Sequence, residues 1–308
     1  MTLPVNVLAA VPAHPTTEMP YTPEIIFTIF LGIPVAIGLF FAIRQIVKGQ
    51  GPILLLCLIG GAFACLWEPI VDVLGLCYIR EGATLTTFSS MGRDFPLFIN
   101  FVYIWYVGGL GYIAYRIFSN GVTKKALFTL YFTDLVINIF LESPGVLMGA
   151  YEYYGPQPLN LWGLPLWWVF VNPLMPLFMG AILYRMRPHL TGWRIVGIIP
   201  LLPMADGLGN AATAWPMWTS LNGDWPTWAT HITAGITFCL AVYAVWILSF
   251  VVARPESEIG KKSKYTILRE ALMNPPGSLD EKRAADGTGQ PGPATTPAPA
   301  PAPAGAPA

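Results

Sequence analysis

Charged residues, histidines and paired cysteines are all scarce in this 308-residue chain. Only 11% of its residues are charged and 54% are hydrophobic, whereas an average soluble domain has about 25% charged residues. This balance excludes an ordinary soluble domain and predicts a membrane protein. Basic and acidic residues both number 17, so the composition gives no indication of a nucleic-acid partner.

The four cysteines and three histidines do not form the pattern of a disulfide framework or of a metal site. All four cysteines fall in apolar runs, without a CxxC motif or clustered histidines, so we expect free thiols, no metal and no cofactor. No lysine lies in the interior of a predicted membrane helix, which excludes a rhodopsin with a retinal Schiff base. A ligand receptor stays open as an alternative, without a positive sign in the sequence.

Seven apolar stretches reach the length of about 20 residues that a helix needs to cross a bilayer. They run over approximately 24–47, 52–78, 95–118, 125–149, 165–187, 195–214 and 229–252. The sequence therefore predicts an all-α, polytopic bundle of seven transmembrane helices, in a membrane domain at 24–255. Residues 1–23 have no basic start before their apolar patch, so we expect an extracytoplasmic segment and not a cleaved signal peptide.

Basic residues are concentrated in alternate loops between these helices. Three loops contain bases and no acid: Arg44 and Lys48; Arg116, Lys124 and Lys125; Arg185, Arg187 and Arg194. The other three loops each contain acid. Because short cytoplasmic loops are enriched in lysine and arginine, the pattern predicts a multi-pass protein of the cell membrane with its amino terminus outside and its carboxyl terminus in the cytoplasm.

The chain changes character after the last predicted helix. Residues 256–273 include the basic stretch KKSKYTILREALM, which fits either a short helix on the anionic inner leaflet or a solvated juxtamembrane tail. From 274 to 308 the sequence is rich in proline, glycine and alanine. We expect that segment to be disordered, because it has too little apolar surface to fold.

Carboxylates inside the predicted helices are the main indication of function. Glu68 and Asp72 are four residues apart in the second helix, Glu142 is in the fourth and Asp206 in the sixth. Each acid costs about 2.5–3.5 kcal/mol near a bilayer centre, so these side chains should face the bundle interior. With Asp134 and Asn138, Glu142 forms an i, i+4, i+8 stripe on one face of the fourth helix.

Amide and aromatic side chains accompany these acids. Glu68, Glu142, Asn172 and Asp206 lie about 10–14 Å below the predicted outer ends of their helices, with Asn210 and His231 nearer the surface. Substrate-binding candidates on this basis are Trp67, Asn138, Asn172, Asn210, His231, Tyr153 and Trp168. The segment YEYYGPQPLNLWGLP at 151–165 is rich in aromatics and proline, which favours a cap over the cavity.

Such a layer predicts acid/base chemistry on a lipophilic small molecule within the membrane, with lipids as the other partners. Glu68 is the first choice for the acid and Asp206 or Asp72 for the base, with Asn138, Asn172 and Asn210 orienting substrate oxygens. The same acids would serve a proton-coupled transporter, which is the main alternative. No internal repeat supports that alternative.

Three segments resemble a known family. They are GPILLLCLIGGAFACLWEPIVDVLG (51–75), YEYYGPQPLNLWGLPLWWVFVNP (151–173) and the DGLGN of the sixth helix. In their pattern of residue types and their order along the chain, they resemble actinobacterial membrane proteins grouped with the avermectin spirocyclase, AveC, over about 24–255. The resemblance implies a spiroketal cyclase or dehydratase of secondary metabolism, acting on an oxygenated polyketide or isoprenoid, but it carries over no catalytic residues. A rival resemblance is to membrane carotenoid hydratases.

Overall fold

The computed structural model describes residues 12–285, and this part of the chain forms a helical bundle. Seven helices in it are long and apolar enough to cross a membrane: Tyr21–Val47, Ile53–Gly75, Leu97–Ser119, Lys124–Leu147, Leu166–His189, Gly192–Leu221 and Thr227–Val252. We call them the first to seventh spans. The seven predicted spans are therefore confirmed, with most ends displaced by a few residues.

Two span ends differ from the prediction for local reasons. The second span stops at Gly75 because Leu76 has a left-handed backbone (φ 53°) and the next three residues pair as a strand. The sixth span continues to Leu221 instead of ending near 214, since Pro216 is accommodated inside the helix. This extension places Asp206 about 22 Å from the end of its helix at 1.5 Å per residue, deeper than predicted.

Three spans depart from regular α-helix in the interior of the bundle. The second span passes from helix Ile53–Ala64 through a 3₁₀ turn into helix Glu68–Gly75. The third span contains a π-helical segment at Ile104–Leu110, between helices Leu97–Tyr103 and Gly111–Ser119. The fifth span is interrupted between Leu166–Val171 and Leu174–Met186, where Pro173 cannot donate a backbone hydrogen bond. These breaks lie next to polar residues, as expected where irregular backbone lines a cavity.

Small residues let the central spans approach closely. A Cβ atom on Gly61 would lie 2.6 Å from the Tyr103 carbonyl oxygen, and one on Gly108 would lie 2.5 Å from the Cys57 carbonyl oxygen. A Cβ atom on Gly180 would likewise lie too close to the backbone of Tyr115. The second, third and fifth spans are therefore in backbone contact, the packing that small residues permit in membranes.

Three short antiparallel pairs of strands, which the sequence did not predict, cover one end of the bundle. The strands are β1 (Cys77–Ile79), β2 (Thr86–Ser90), β3 (Arg93–Pro96), β4 (Tyr151–Tyr153), β5 (Asn160–Leu161) and β6 (Leu164–Pro165). They pair as β1 with β4, β2 with β3 and β5 with β6. The β1–β4 pair joins the loop after the second span to the loop after the fourth. We call this the hairpin end and the opposite end the basic end.

The basic end is covered by three short helices after the seventh span: Glu256–Ile259, Lys264–Met273 and Ser278–Ala285. Arg254 forms an ion pair with Asp280, and the Asn120 side chain donates to the carbonyl oxygens of Ala271 and Asn274 at 2.9 and 3.0 Å. These contacts fix the segment to the bundle. The structure describes a helix at Ser278–Ala285 within the segment for which we expect disorder, and residues 286–308 of that segment lie outside the described residues.

Candidate functional site

A cavity opens among the spans near the hairpin end. Its walls come from the first six spans and from strands β1 and β4. The empty space, mouth included, is about 780 Å³, which is an upper bound on the volume of a ligand that fits without movement. Apolar side chains such as Phe27, Leu31, Val71 and Phe98 form much of the wall.

Most of the predicted site residues line this cavity. They are Glu68, Asp72, Asn138, Glu142, Tyr153, Trp168, Asn172 and Asn210. The helix breaks help to place them, because Glu68 begins the second helical segment of its span and Asn172 lies at the interruption of the fifth span. A Cβ atom on Gly75 would lie only 2.1 Å from the Trp168 ring, so the small residue makes room for this wall.

Three predicted residues are not part of the cavity wall. Asp206 is fully buried behind it, accepting a hydrogen bond at 3.2 Å from Asn210. Trp67 lies against Gly207 and lines a groove on the outer surface of the bundle, because one residue of helix turns a side chain about 100° from its neighbour Glu68. His231 is exposed, since Thr230, Thr233 and Ala234 occupy the buried face of the seventh span.

Glu142 receives the densest set of hydrogen bonds in the cavity. The Tyr151 hydroxyl donates to Glu142 Oε2 at 2.6 Å and the Tyr153 hydroxyl donates to the same atom at 3.4 Å. Asn172 Nδ2 donates to Oε1 at 3.2 Å. Three donors on one carboxyl group match the acceptor-only character of an ionised carboxylate.

Glu68 and Asp72 have fewer partners. Glu68 Oε2 accepts one hydrogen bond, from the Tyr103 hydroxyl at 2.6 Å. Neither oxygen of Asp72 has a hydrogen-bond partner within residues 12–285, although its side chain is 1% exposed. The buried Arg93 guanidinium interacts electrostatically with Asp72 while it donates to the Cys77 carbonyl oxygen at 2.6 Å. The two acids of the second span are therefore in a different environment from Glu142.

A chain of hydrogen bonds leads from Glu142 deeper into the bundle. Asn172 Nδ2 also donates to Asn138 Oδ1 at 2.9 Å, and Asn138 Nδ2 donates to the Tyr106 hydroxyl at 3.1 Å. The Tyr106 hydroxyl donates to Asp134 Oδ2 at 3.3 Å. Asp134 thus holds the orientation of the two amides, which in turn orient Glu142.

Tyr151, Tyr153 and Cys77 at the hairpin end keep their protons. Burial and the neighbouring Glu142 carboxyl raise the pKa of Tyr151 and of Tyr153 well above the usual range, so both hydroxyls remain donors. Burial, followed by the charge of Asp72, raises the pKa of the Cys77 thiol. A thiol with a raised pKa is a poor nucleophile, so Cys77 serves as a wall residue.

Tyr103, Tyr106 and Tyr151 are the part of the site that the sequence did not single out. Tyr103 and Tyr106 come from YIWYVGG in the third span and Tyr151 from YEYYG, a segment that the sequence indicated only as a cap. Their hydroxyls turn out to be the main donors to the acids. Among the described residues, no group of three or more His, Cys, Asp and Glu side chains is arranged to hold a metal ion.

Comparisons with known proteins do not add to this description of the site. Comparisons with protein-family models, curated proteins and solved structures found no significant match to the chain.

Proposed function

We propose that the protein is a cofactor-free intramembrane enzyme that performs acid/base chemistry on a lipophilic, oxygenated substrate. The observation that carries the proposal is the pair of glutamates from different spans, Glu68 and Glu142, that face one largely apolar cavity with unequal hydrogen-bond donors. Two carboxyl groups held in different protonation states supply a general acid and a general base.

The hydrogen bonds favour a specific division of roles. Glu142, with three donors, is the proposed carboxylate and base, a role that the sequence had assigned to Asp206 or Asp72. Glu68, with a single donor, is the proposed acid, and Asp72, without a nitrogen or hydroxyl donor among the described residues, is a second proton carrier beside it. Asp206 acts at most through Asn210, because it does not line the cavity.

For a keto-diol substrate these roles give a balanced reaction. Attack of one hydroxyl on the ketone forms a hemiketal, and proton transfer from Glu68 to the hemiketal hydroxyl lets it leave as water. Attack of the second hydroxyl then closes the spiroketal, and Glu142 accepts its proton. Dehydration of a single alcohol uses the same two groups, since one protonates the hydroxyl and the other removes a proton from the adjacent carbon.

The lining supports a substrate that is mostly hydrocarbon with a few oxygens. Apolar side chains contact the chain, and Asn138, Asn172 and Asn210 offer amides to hydroxyl or carbonyl groups. A polyketide cyclase or dehydratase and a carotenoid hydratase both fit this description. The cell membrane is the proposed location.

Proton-coupled transport is the second candidate, and the hydrogen-bond chain from Glu142 to Asp134 favours it. Two of the links are asparagine amides, which hold hydrogen bonds but do not gain and lose a proton as a carboxyl group does. The chain is therefore better suited to orienting Glu142 than to carrying protons.

The test compares lipid-soluble metabolites of a deletion strain, its parent, and the deletion strain complemented with wild type or with Glu68→Gln. An accumulated keto-diol that only the wild-type gene removes supports the cyclase, and an accumulated polyene supports the hydratase. Unchanged metabolites, or full rescue by a well-inserted Glu68→Gln protein, argue against the enzyme. Substrate-driven proton flux in reconstituted vesicles would support the transporter.

A further inference from the structure

A second cavity lies at the basic end, away from the acidic site. The first, second, third and fifth spans contribute to it, together with the chain segment at 273–276. Its polar lining includes Gln45, Tyr112, Tyr115, Arg116 and Arg187. The empty space, mouth included, is about 970 Å³, so the cavity has room for a small polar group.

The charges of this cavity are of one sign. Arg116 and Arg187 line it and no Asp or Glu does. Neither arginine forms an ion pair within residues 12–285. Each guanidinium carries five N–H donors. Within the part of the chain that the structure describes, Arg116 donates only to the Asn274 carbonyl oxygen at 3.0 Å and Arg187 only to that of Leu190 at 3.0 Å.

The position of Arg116 makes this lack of a counter-charge costly. Its Nε atom is buried and has no hydrogen-bond partner among the described residues. Buried polar groups in proteins are nearly always hydrogen-bonded, and an uncompensated buried charge is more costly still. An anion in the cavity would accept from the guanidinium N–H groups that line it and offset the charge of both arginines.

Neutral donors complement the two cations. The Tyr112 hydroxyl donates to Gln45 Oε1 at 3.1 Å, which fixes the amide so that its nitrogen is left to donate elsewhere. Residues 273–276 form the remaining wall, where Arg116 and Asn120 both bind the Asn274 carbonyl oxygen. The first, third and fifth spans thus bring polar donors to one small region beside the carboxyl-terminal segment.

We propose that this cavity binds a phosphate group. Two guanidinium groups suit the several acceptor oxygens of phosphate, and basic pockets between spans at a cytoplasmic surface bind anionic lipid headgroups. The same chemistry would hold the phosphate of a soluble metabolite. The site is independent of the acidic cavity and of the reaction proposed there.

The test uses the purified full-length protein in a neutral detergent, with phosphatidylglycerol, phosphatidylcholine and inorganic phosphate as separate probes. Binding is followed by the shift in thermal unfolding midpoint and by native mass spectrometry. Arg116→Gln and Arg187→Gln should each weaken binding at least about tenfold, since a hydrogen bond to a charged group contributes about 1.5–3 kcal/mol. Arg194→Gln is the matched control, because Arg194 is exposed at the same end and lies outside the cavity.

Preference for phosphatidylglycerol over phosphatidylcholine, lost in both cavity variants and kept in the control, identifies a lipid headgroup as the ligand. Saturable binding of inorganic phosphate with the same variant pattern, without a lipid preference, identifies a soluble phosphorylated ligand. Two results overturn the proposal: neither anion binds the wild type, or the control loses as much binding as the cavity variants. Arg187 forms no hydrogen bond with residues 273–276, whereas Arg116 does. Loss of binding in Arg187→Gln therefore reports loss of a contact with the ligand and not displacement of the carboxyl-terminal wall of the cavity.

Discussion

The bond between Tyr151 and Glu142 offers the sharpest test of the charge of the proposed base. Replacing Tyr151 with Phe removes a 2.6 Å hydrogen bond to Oε2 and a 2.9 Å bond to the Glu142 carbonyl oxygen. A hydrogen bond to a charged group contributes about 1.5–3 kcal/mol, whereas side-chain hydrogen bonds between neutral groups in membrane proteins average about 0.6 kcal/mol. The coupling energy between the two side chains therefore reports whether Glu142 is ionised.

The assay is a double-mutant cycle with wild type, Tyr151→Phe, Glu142→Leu and the double variant, because leucine removes both carboxyl oxygens whereas glutamine would still accept from Tyr151. The free energy of unfolding of each is measured by titration with SDS in mixed micelles near pH 7. Because the backbone bond is lost both with and without the Glu142 carboxyl group, it cancels from the coupling energy. We expect a coupling of about 1.5 kcal/mol or more.

Tyr153→Phe is the matched control, since its hydroxyl is 3.4 Å from the same oxygen, where a hydrogen bond is weak. Its coupling to Glu142 should be well below that of Tyr151. A Tyr151 coupling near 0.6 kcal/mol would refute the ionised base, because Glu142 would then behave as a neutral acid. Equal couplings for the two tyrosines would refute the geometry itself.

Three further predictions concern the acid, the helix contacts and the carboxyl-terminal segment. Glu68→Gln should lower turnover about 10²–10⁴-fold with an unchanged unfolding midpoint, since the glutamine oxygen still accepts from its tyrosine; equal turnover contradicts the role. Gly108→Ala should destabilise by about 1–3 kcal/mol because its Cβ would lie 2.5 Å from a carbonyl oxygen. Gly109→Ala is the control, because the nearest atom to its added Cβ would be 3.8 Å away. It should change the unfolding free energy by less than about 0.5 kcal/mol, and similar losses of stability in the two variants would contradict the close contact at Gly108. Arg254→Gln should speed amide hydrogen exchange in the last described helix by breaking the ion pair with Asp280, and unaltered exchange would mean that other contacts hold it.

The spans and the convergence of polar residues from different helices could be predicted because both depend on local sequence. Helix length follows from apolar runs, and a residue's depth follows from its distance along the helix. Glu68, Glu142 and Asn172 accordingly line one cavity. Asp206 interacts electrostatically with Glu68 but does not line the cavity, because it is fully buried behind Asn210, and burial of that kind depends on packing between helices.

The direction in which a side chain faces could not be predicted with the same success. Trp67 and Glu68 are neighbours in sequence but face the outer surface and the cavity respectively. His231 faces outward because three small neighbours occupy the packed side of its helix. Short strands such as β1 and β4 are set by pairing between distant loops, and their three residues are too few for a period of two to be visible.

The π-helical segment Ile104–Leu110 makes the residue count of the third span a determinant of the site. Such a segment is one residue longer than the α-helix it replaces, so a one-residue deletion there would restore regular helix at little cost to hydropathy. It would also turn the preceding half of the span by about 100°, carrying Tyr103 away from Glu68. A related chain with a one-residue gap at this point would therefore keep seven spans but lose the hydrogen bond between the residues equivalent to Tyr103 and Glu68. Prediction of spans from hydropathy would not detect this change.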